Sequence, residues 1–300
     1  MPSLKQRIRE SLPDWYFVVR NYRRAHGALP NVIRPQTFTE KVIHRILFDR
    51  PPILAQLEDK LAARSYVEAR LSPGILPQLY YLTDRPETIP FDKLPEKFVV
   101  KPTHGSGWVQ IVIDKSAVDQ PQLIDTCYQW LNRSFYQESR VRVYKYIEPR
   151  IMVEEFIDDG SGAAPNDYKV FVFGGRAEML QVDATRFTDH RRRFYTPTWE
   201  KLDVLLIYDD ICGDVPRPPH LAEMIIAAET LGKDLDFLRI DFYDTSTRLY
   251  FGEITTAPEG GWSRFQPQAF DCHLGKRWIL PAGPASRIWS RRKPAADRPG

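Results

Sequence analysis

"LRIDFYDTSTRLYFGEITTAPEGGW", residues 238–262, decides how this chain is read. Leu238, Ile240 and Phe242 alternate with Arg239, Asp241 and Tyr243; Tyr250, Gly252 and Ile254 alternate with Phe251, Glu253 and Thr255. Period-two alternation marks half-buried strands, and "DTSTR" between them is turn chemistry, so the stretch reads as a hairpin. An odd loop pairs even positions with even ones. The even face is then mostly apolar, and the odd face gathers Arg239, Asp241, Glu253 and Thr255. An even loop mixes the faces, because a one-residue slip turns every side chain over. The pattern therefore predicts a three-residue loop, residues 246–248, with Asp241 across from Glu253. Two carboxylates that close repel each other unless a proton or a cation lies between them, and a hard divalent cation with oxygen ligands is the natural occupant. The plainer alternative is that each acid pairs with Arg239 or faces water.

The 300 residues are 43% hydrophobic and 27% charged, an ordinary soluble composition with enough chain for one large or two modest domains. No apolar run approaches the roughly 18 residues of a membrane span, and "MPSLKQRIRESLPDWY" lacks an apolar signal-peptide core. Cys127, Cys212 and Cys272 are odd in number and widely spaced, which reads as reduced thiols and a cytoplasmic setting. Charge is uneven. Residues 1–30 carry six Lys/Arg against two acids, and residues 276–300 seven against one, so an acidic body of net −7 has basic ends. Such ends suit a weak, peripheral contact with an anionic membrane surface or an anionic polymer, or are solvated tails. No nucleic-acid-binding signature accompanies them.

Along the chain, residues 4–26 read as one or two basic amphipathic helices with aromatic content. Thr37 and Glu40 form a capping box for a helix over "FTEKVIHRILF", and "PPILAQLEDKLAARSYVEARL" reads as one further helix entered at proline. "ILPQLYYL", "EKFVV", "VQIVI", "RIMVEEF" and "RRRFYT" read as strands, and "DYKVFVFGGRAEMLQVDATRF" as a hairpin turned at Gly174-Gly175. Residues 119–146 and "PPHLAEMIIAAETLGKDL" read as helical. Helices interleaved with hairpins predict an α+β fold with largely antiparallel sheets.

"VVKPTHGSGW" puts Lys101 at a strand end before Gly105-Ser106-Gly107. Glycines let backbone N–H groups crowd toward an anion and the lysine adds a point charge; a Gly-Ser-Gly hairpin beside a surface lysine is the commoner meaning. It is not a Walker A loop, since no Lys-Ser/Thr follows the glycines. "IMVEEFIDD" ends an apolar strand in two glutamates and Phe156. It reads either as a strand edge or as a nucleotide hinge, with a backbone edge for a purine, an apolar wall and acids for amino and ribose groups.

The order of these pieces resembles the ATP-grasp superfamily. "FTEK", "DKLAAR", "LPEKFVVKPTHGSGW", "EPRIMVEEFI", "DYKVFVFGG" and "RIDFYDTSTRLYFGEITTAPEGG" resemble its TupA-like branch, linked to teichuronopeptide and polysaccharide synthesis. The resemblance implies two α+β lobes clamping ATP: a basic helical region over 1–54, a first lobe over 55–150, a second over 151–280 and a basic tail over 281–300. It implies ATP and Mg²⁺ as cofactors. Lys60 and Lys101 match the lysines that hold ATP phosphates, and His104, Gly105, Ser106 and Gly107, with Trp108, match the loop that closes over them. Glu154, Glu155 and Phe156 match the adenine hinge, with Asp158 or Asp159 toward the ribose. Lys169 lies where a residue facing nucleotide or substrate is expected. Asp241 and Glu253 match the magnesium ligands, and Thr255 stands where many relatives have Asn. Arg239 and Arg186 are candidates for gripping an acyl phosphate or an anionic acceptor. The implied activity is a carboxylate–amine ligase acting through an acyl phosphate. It would join an amine or amino acid to an acidic glycan or its precursor. A sugar kinase of the same fold and a non-catalytic nucleotide-binding scaffold are the alternatives.

Overall fold

The computed structural model describes residues 12–49, 51–158, 165–184 and 189–281. Helix α1 (Asp14–His26) buries Phe17, Val18 and Tyr22. Helix α2 (Phe38–Phe48) opens on the expected capping box. The Thr37 hydroxyl accepts from the Glu40 N–H at 3.2 Å, and the Glu40 carboxylate accepts from the Thr37 N–H at 3.2 Å.

The segment read as one helix from Pro52 is two, α3 (Pro52–Glu58) and α4 (Lys60–Glu68). Asp59 between them is extended, and its carboxylate accepts from the N–H groups of Leu61 (2.9 Å) and Ala62 (3.3 Å). An aspartate competes with helical hydrogen bonding and favours the cap. The break places Lys60 as the first residue of α4.

A four-stranded sheet follows, built from β1 (Leu79–Thr83), β2 (Phe98–Pro102), β3 (Gln110–Val112) and β4 (Ile151–Glu155). Its order is β1-β4-β2-β3, with every pairing antiparallel. Phe98, Val100, Val112, Ile151 and Val153 pack on Leu123, Cys127 and Trp130 of α5 (Gln120–Leu131). The short α6 (Phe135–Ser139) precedes β4.

The second sheet contains β5 (Asp167–Phe173), β6 (Arg176–Ala184), β7 (Arg191–Tyr195), β8 (Lys201–Leu202), β10 (Phe237–Asp244) and β11 (Leu249–Thr255). Its order is β11-β10-β5-β6-β7-β8, again antiparallel throughout. Phe173 pairs with Arg176 across the expected Gly174-Gly175 turn. A small ladder joins β9 (Leu205–Leu206) to β12 (Phe265–Gln266). One face of the large sheet, with Val170, Val182, Leu238 and Ile240, packs on α4 and α7 (Leu221–Gly232) through Ala63, Val67, Met224 and Leu231. The opposite face is divided. Phe171, Phe173, Phe194 and Phe237 meet α1, α2 and Trp278, which follows α8 (Gln268–Arg277). Burying each phenylalanine stabilises by about 2 kcal/mol. The remainder of that face is ionic and carries the site.

The opening hairpin reaches the expected pairing by another route. Asp244 pairs with Leu249, so the loop has four residues, 245–248, not three. The register then shifts by one between Asp241 and Phe242, because Gly252 is an extra residue in β11. The bulge restores Asp241 opposite Glu253 and Ile240 opposite Ile254. Beyond it the faces exchange. Leu249 and Phe251 join the core, while Tyr250 turns outward and its hydroxyl donates to Glu155 at 3.2 Å. The bulge is tight at this point: a Cβ on Gly252 would lie 3.0 Å from the Asp241 carbonyl oxygen, so a side chain there requires the neighbours to give by a few tenths of an ångström.

Candidate active site

Strand registry builds the site. On the ionic face Glu253, Asp241, Lys169 and Gln181 form one rung across β11, β10, β5 and β6. Tyr243, Asp167, Asp183 and Arg192 form the next rung, across β10 to β7. Neighbouring strands are about 4.8 Å apart, so opposite charges on adjacent strands meet. Arg239 binds both Asp241 oxygens at 2.8 Å each, donates to the Thr255 hydroxyl at 3.0 Å and lies 3.6 Å from Glu253. Lys169 donates to Asp167 at 2.6 Å and also to Asp241. Asp183 is gripped by Arg192 at 2.6 and 3.1 Å, and Arg192 lies 3.5 Å from Glu259.

Burial pushes the Asp241 carboxyl up, with Arg239 and Lys169 pulling against it. Burial also opposes ionisation of Glu253, but Lys60, Lys169 and Arg239 outweigh it and hold that carboxyl well below the usual range. Asp183 is likewise desolvated, yet its pair with Arg192 brings it down to about 2.

Lys60 links this face to the glycine loop. Its Nζ donates to the Gly105 carbonyl at 2.7 Å and lies 3.2 Å from Glu253. A Cβ at Gly105 would lie 2.5 Å from the Trp108 ring, so any larger residue there must displace that ring. His104 turns away from the loop surface: it is buried, its Nε2 lies 3.0 Å from the Trp130 carbonyl, and desolvation lowers its pKa. Ser106 and Gly107 are exposed. Lys101 on β2 pairs with the buried Glu154 of β4, which also has Arg64 at 4.0 Å. The Glu155 N–H donates to the Gln78 carbonyl at 2.8 Å, so that N–H is not offered to a ligand. Asp158 pairs with Lys97 at 2.6 Å, and Lys97 sits over the Phe156 ring. Thus Lys60, Lys169, Arg239, Asp241, Glu253 and Thr255 come together with the glycine loop. Lys101 and Glu154 form a separate pair. Arg186 and Asp159 lie outside the described residues.

The family model for TupA-like ATP-grasp proteins matches residues 40–279. The chain belongs to that family. A TupA-like protein has the ATP-grasp α+β fold, and the two antiparallel sheets described above are its frame. No curated protein matches the chain. Among solved structures it is similar to D-alanine–D-alanine ligase from Bacillus anthracis complexed with ATP, at 19% identity and a TM-score of 0.40, over 69% of this chain and 56% of that one. The same ligase in a second structure gives 18% and 0.46, over 80% and 72%. L-amino acid ligase from Bacillus licheniformis gives 15% and 0.46, over 74% and 48%. This TupA-like chain thus spans about half the length of the ATP complex and of the L-amino acid ligase.

Sequence reasoning misses several residues of the candidate site. Glu58, buried at the end of α3, accepts from the Thr256 N–H (2.6 Å), the Thr256 hydroxyl (2.8 Å) and the Tyr144 hydroxyl (2.8 Å). It therefore pins the chain just beyond Thr255. Asp167, Asp183 and Arg192 extend the ionic face. For Asp167 and Asp183 the signal is present, a charge at an alternate position of a largely apolar strand, whereas Arg192 stands in the run Arg191-Arg192-Arg193, where nothing local singles it out.

The donor set fits magnesium. Among the described residues no group of three or more His, Cys, Asp or Glu could form a protein-only metal cage. Two cross-strand carboxylates suffice for Mg²⁺, which keeps several waters and takes substrate phosphates.

Proposed function

We propose that this protein is an ATP- and Mg²⁺-dependent carboxylate–amine ligase whose acceptor is an acidic bacterial surface glycan or its precursor. The observation that carries the reading is the cross-strand Asp241–Glu253 pair, ringed by Lys60, Lys169 and Arg239. Acids so neutralised by cations are a preorganised field for a polyanion undergoing transfer. Mg²⁺ held by Asp241 and Glu253 would supply charge neutralisation between phosphates.

In this reading Lys60 and Lys101 bind ATP phosphates, and the loop from Gly105 to Trp108 covers them and excludes water. Glu154, Glu155 and Phe156 border the adenine. A substrate carboxylate oxygen takes the γ-phosphoryl group, ADP leaves, and Arg239 holds the acyl phosphate by charge-assisted hydrogen bonds. The amine then forms the C–N bond as the C–O bond to phosphate breaks, and the amine proton leaves with phosphate. The glycan setting is supported by the family resemblance.

The test labels the acid substrate with heavy oxygen in its carboxylate, adds ATP and amine, and weighs the released phosphate. The ligase delivers one labelled oxygen per turnover, with ADP as product. A sugar kinase releases no free phosphate, and an adenylating enzyme yields AMP and pyrophosphate. Either outcome overturns the proposal.

A further inference from the structure

Helix α1 carries a surface that the ATP-grasp chemistry does not use. At 100° per residue, Phe17, Val18 and Tyr22 share the side that packs into the core. The opposite arc holds Trp15, His26, Val19, Arg23, Tyr16, Arg20 and Arg24 in angular order; Trp15, Tyr16, Arg23 and Arg24 are exposed, while His26, Val19 and Arg20 are half-buried and the Arg20 Nε is buried. Trp15 is 60% exposed and Tyr16 41%, while the other described tryptophans are buried or half-buried. The helix has one acid, Asp14, and it is turned inward. Its carboxylate lies 3.6 Å from Arg140 and 3.8 Å from Arg142, and it accepts from the Tyr136 hydroxyl at 2.6 Å. The exposed part of the arc is thus Arg23, Arg24, Trp15 and Tyr16, with half-buried Arg20 beside them and no carboxylate.

We infer that this arc docks the protein on an anionic lipid bilayer. Charge complementarity selects an anionic partner, since nothing on the arc offsets Arg20, Arg23 and Arg24. The aromatic pair selects a bilayer over a soluble polyanion. Trp15 and Tyr16 meet edge to face at 5.9 Å, and such amphipathic rings favour the headgroup boundary, where one end is apolar and the other wet. A soluble acidic polymer offers them no apolar layer. Docking is peripheral: among the described residues no helix is long and apolar enough to cross a membrane. Because the inner face of α1 is locked in the core, the helix presents a rigid arc and does not fold upon binding, which lowers the entropic cost. Two exposed arginines near an anionic surface, at about 1 kcal/mol each, correspond to roughly thirtyfold stronger partitioning than onto a neutral surface, with Arg20 adding a smaller share. The inference is independent of the proposed ligase chemistry.

The test is co-sedimentation of the full chain with vesicles of phosphatidylcholine alone or mixed with phosphatidylglycerol, at low and physiological salt. Binding to the anionic vesicles, weakening with salt, and little binding to neutral vesicles are expected. The double variant Arg23→Glu/Arg24→Glu should lose at least tenfold in partitioning. Trp15→Ser should lose severalfold at fixed salt while leaving affinity for a non-hydrolysable ATP analogue unchanged. Equal binding to neutral vesicles overturns the proposal. So does anionic binding that survives both variants but is lost when residues 282–300 are removed. Capture by soluble polyglutamate with no vesicle binding would show the partner to be a polymer and would overturn it too.

Discussion

Arg239 holds both oxygens of Asp241 at 2.8 Å, so the deeper of the two site carboxylates is already neutralised from within. Lys169 adds a second cation to the same acid. On the proposed function a divalent ion competes with these side chains for Asp241, and incoming phosphates would give Arg239 and Lys169 alternative partners. Mn²⁺ binding, followed by electron paramagnetic resonance, should therefore be weak without nucleotide and at least tenfold tighter with a non-hydrolysable ATP analogue. Lys169→Met should raise the nucleotide-free affinity by removing a competing charge. Equal Mn²⁺ affinity with and without nucleotide would contradict this account.

Gly252 sets which face Glu253 occupies. A Cβ there would approach the Asp241 carbonyl at 3.0 Å and the Tyr243 ring at 3.2 Å, so the β10–β11 pairing must give by a few tenths of an ångström. Gly252→Ala should cost about 1–3 kcal/mol in urea unfolding, in the range of overpacked sites. Turnover should fall at least tenfold even at temperatures where the variant is fully folded. A variant with normal turnover would show that the bulge is structural only.

The hairpin shows what was legible in the sequence and what was not. Alternation revealed both strands and the shared carboxylate face, because side-chain period follows directly from pleat geometry. Parity gives the wrong loop length because it assumes an unbroken ladder; the bulge's mark in the sequence is the shift of apolar positions from Leu249 and Phe251 to Ile254. The α3–α4 break at Asp59 was hidden for a related reason: Glu-Asp-Lys suits a helix surface as well as a cap. Asp183 was written in its strand, but its meeting with Arg192 depends on β6–β7 registry, which no local pattern states. Glu58 gave no signal at all, since its partners Tyr144 and Thr256 are distant in sequence.

Glu58 collects three donors, from Thr256 twice and from Tyr144, and burial raises its pKa. Glu58→Ala leaves those donors without an acceptor, at about 1–3 kcal/mol for each that water does not reach. We expect a loss of roughly 3 kcal/mol or more by urea unfolding. Tyr144→Phe removes only one donor and should cost about 1 kcal/mol. If Glu58 positions the end of β11, Tyr144→Phe should also lower turnover modestly without changing the Michaelis constant for ATP. A fall in stability alone would confine Glu58 to a structural role.

Asp183 gives a pH dependence with a definite sign. Its carboxyl stands at about 2 in the fold against an ordinary 3.8, because the pair with Arg192 outweighs desolvation. A depressed carboxylate contributes stability that is fully present above the unfolded value and is lost as pH falls through the folded one. At 1.36 kcal/mol per pKa unit the contribution is about 2 kcal/mol. Asp183→Asn removes it and leaves Arg192 buried with Glu259 at 3.5 Å as its remaining acid, a break that costs on the order of 3–5 kcal/mol near neutrality. The stability gap between wild type and Asp183→Asn is best followed below about pH 5, clear of the neutral range in which histidines titrate, because His190 Nε2 lies 3.5 Å from Asp183 and loses that carboxylate in the variant. From there the gap should narrow by about 1 kcal/mol at pH 3 and about 2 kcal/mol at pH 2. Urea unfolding of both proteins across this range measures the gap directly, and titration of other acids cancels because both proteins share them. A gap that stays constant down to pH 2 would mean that Asp183 is not ionised by Arg192. A gap that widens as pH falls would reverse the sign and place the proton on Asp183 in the folded protein.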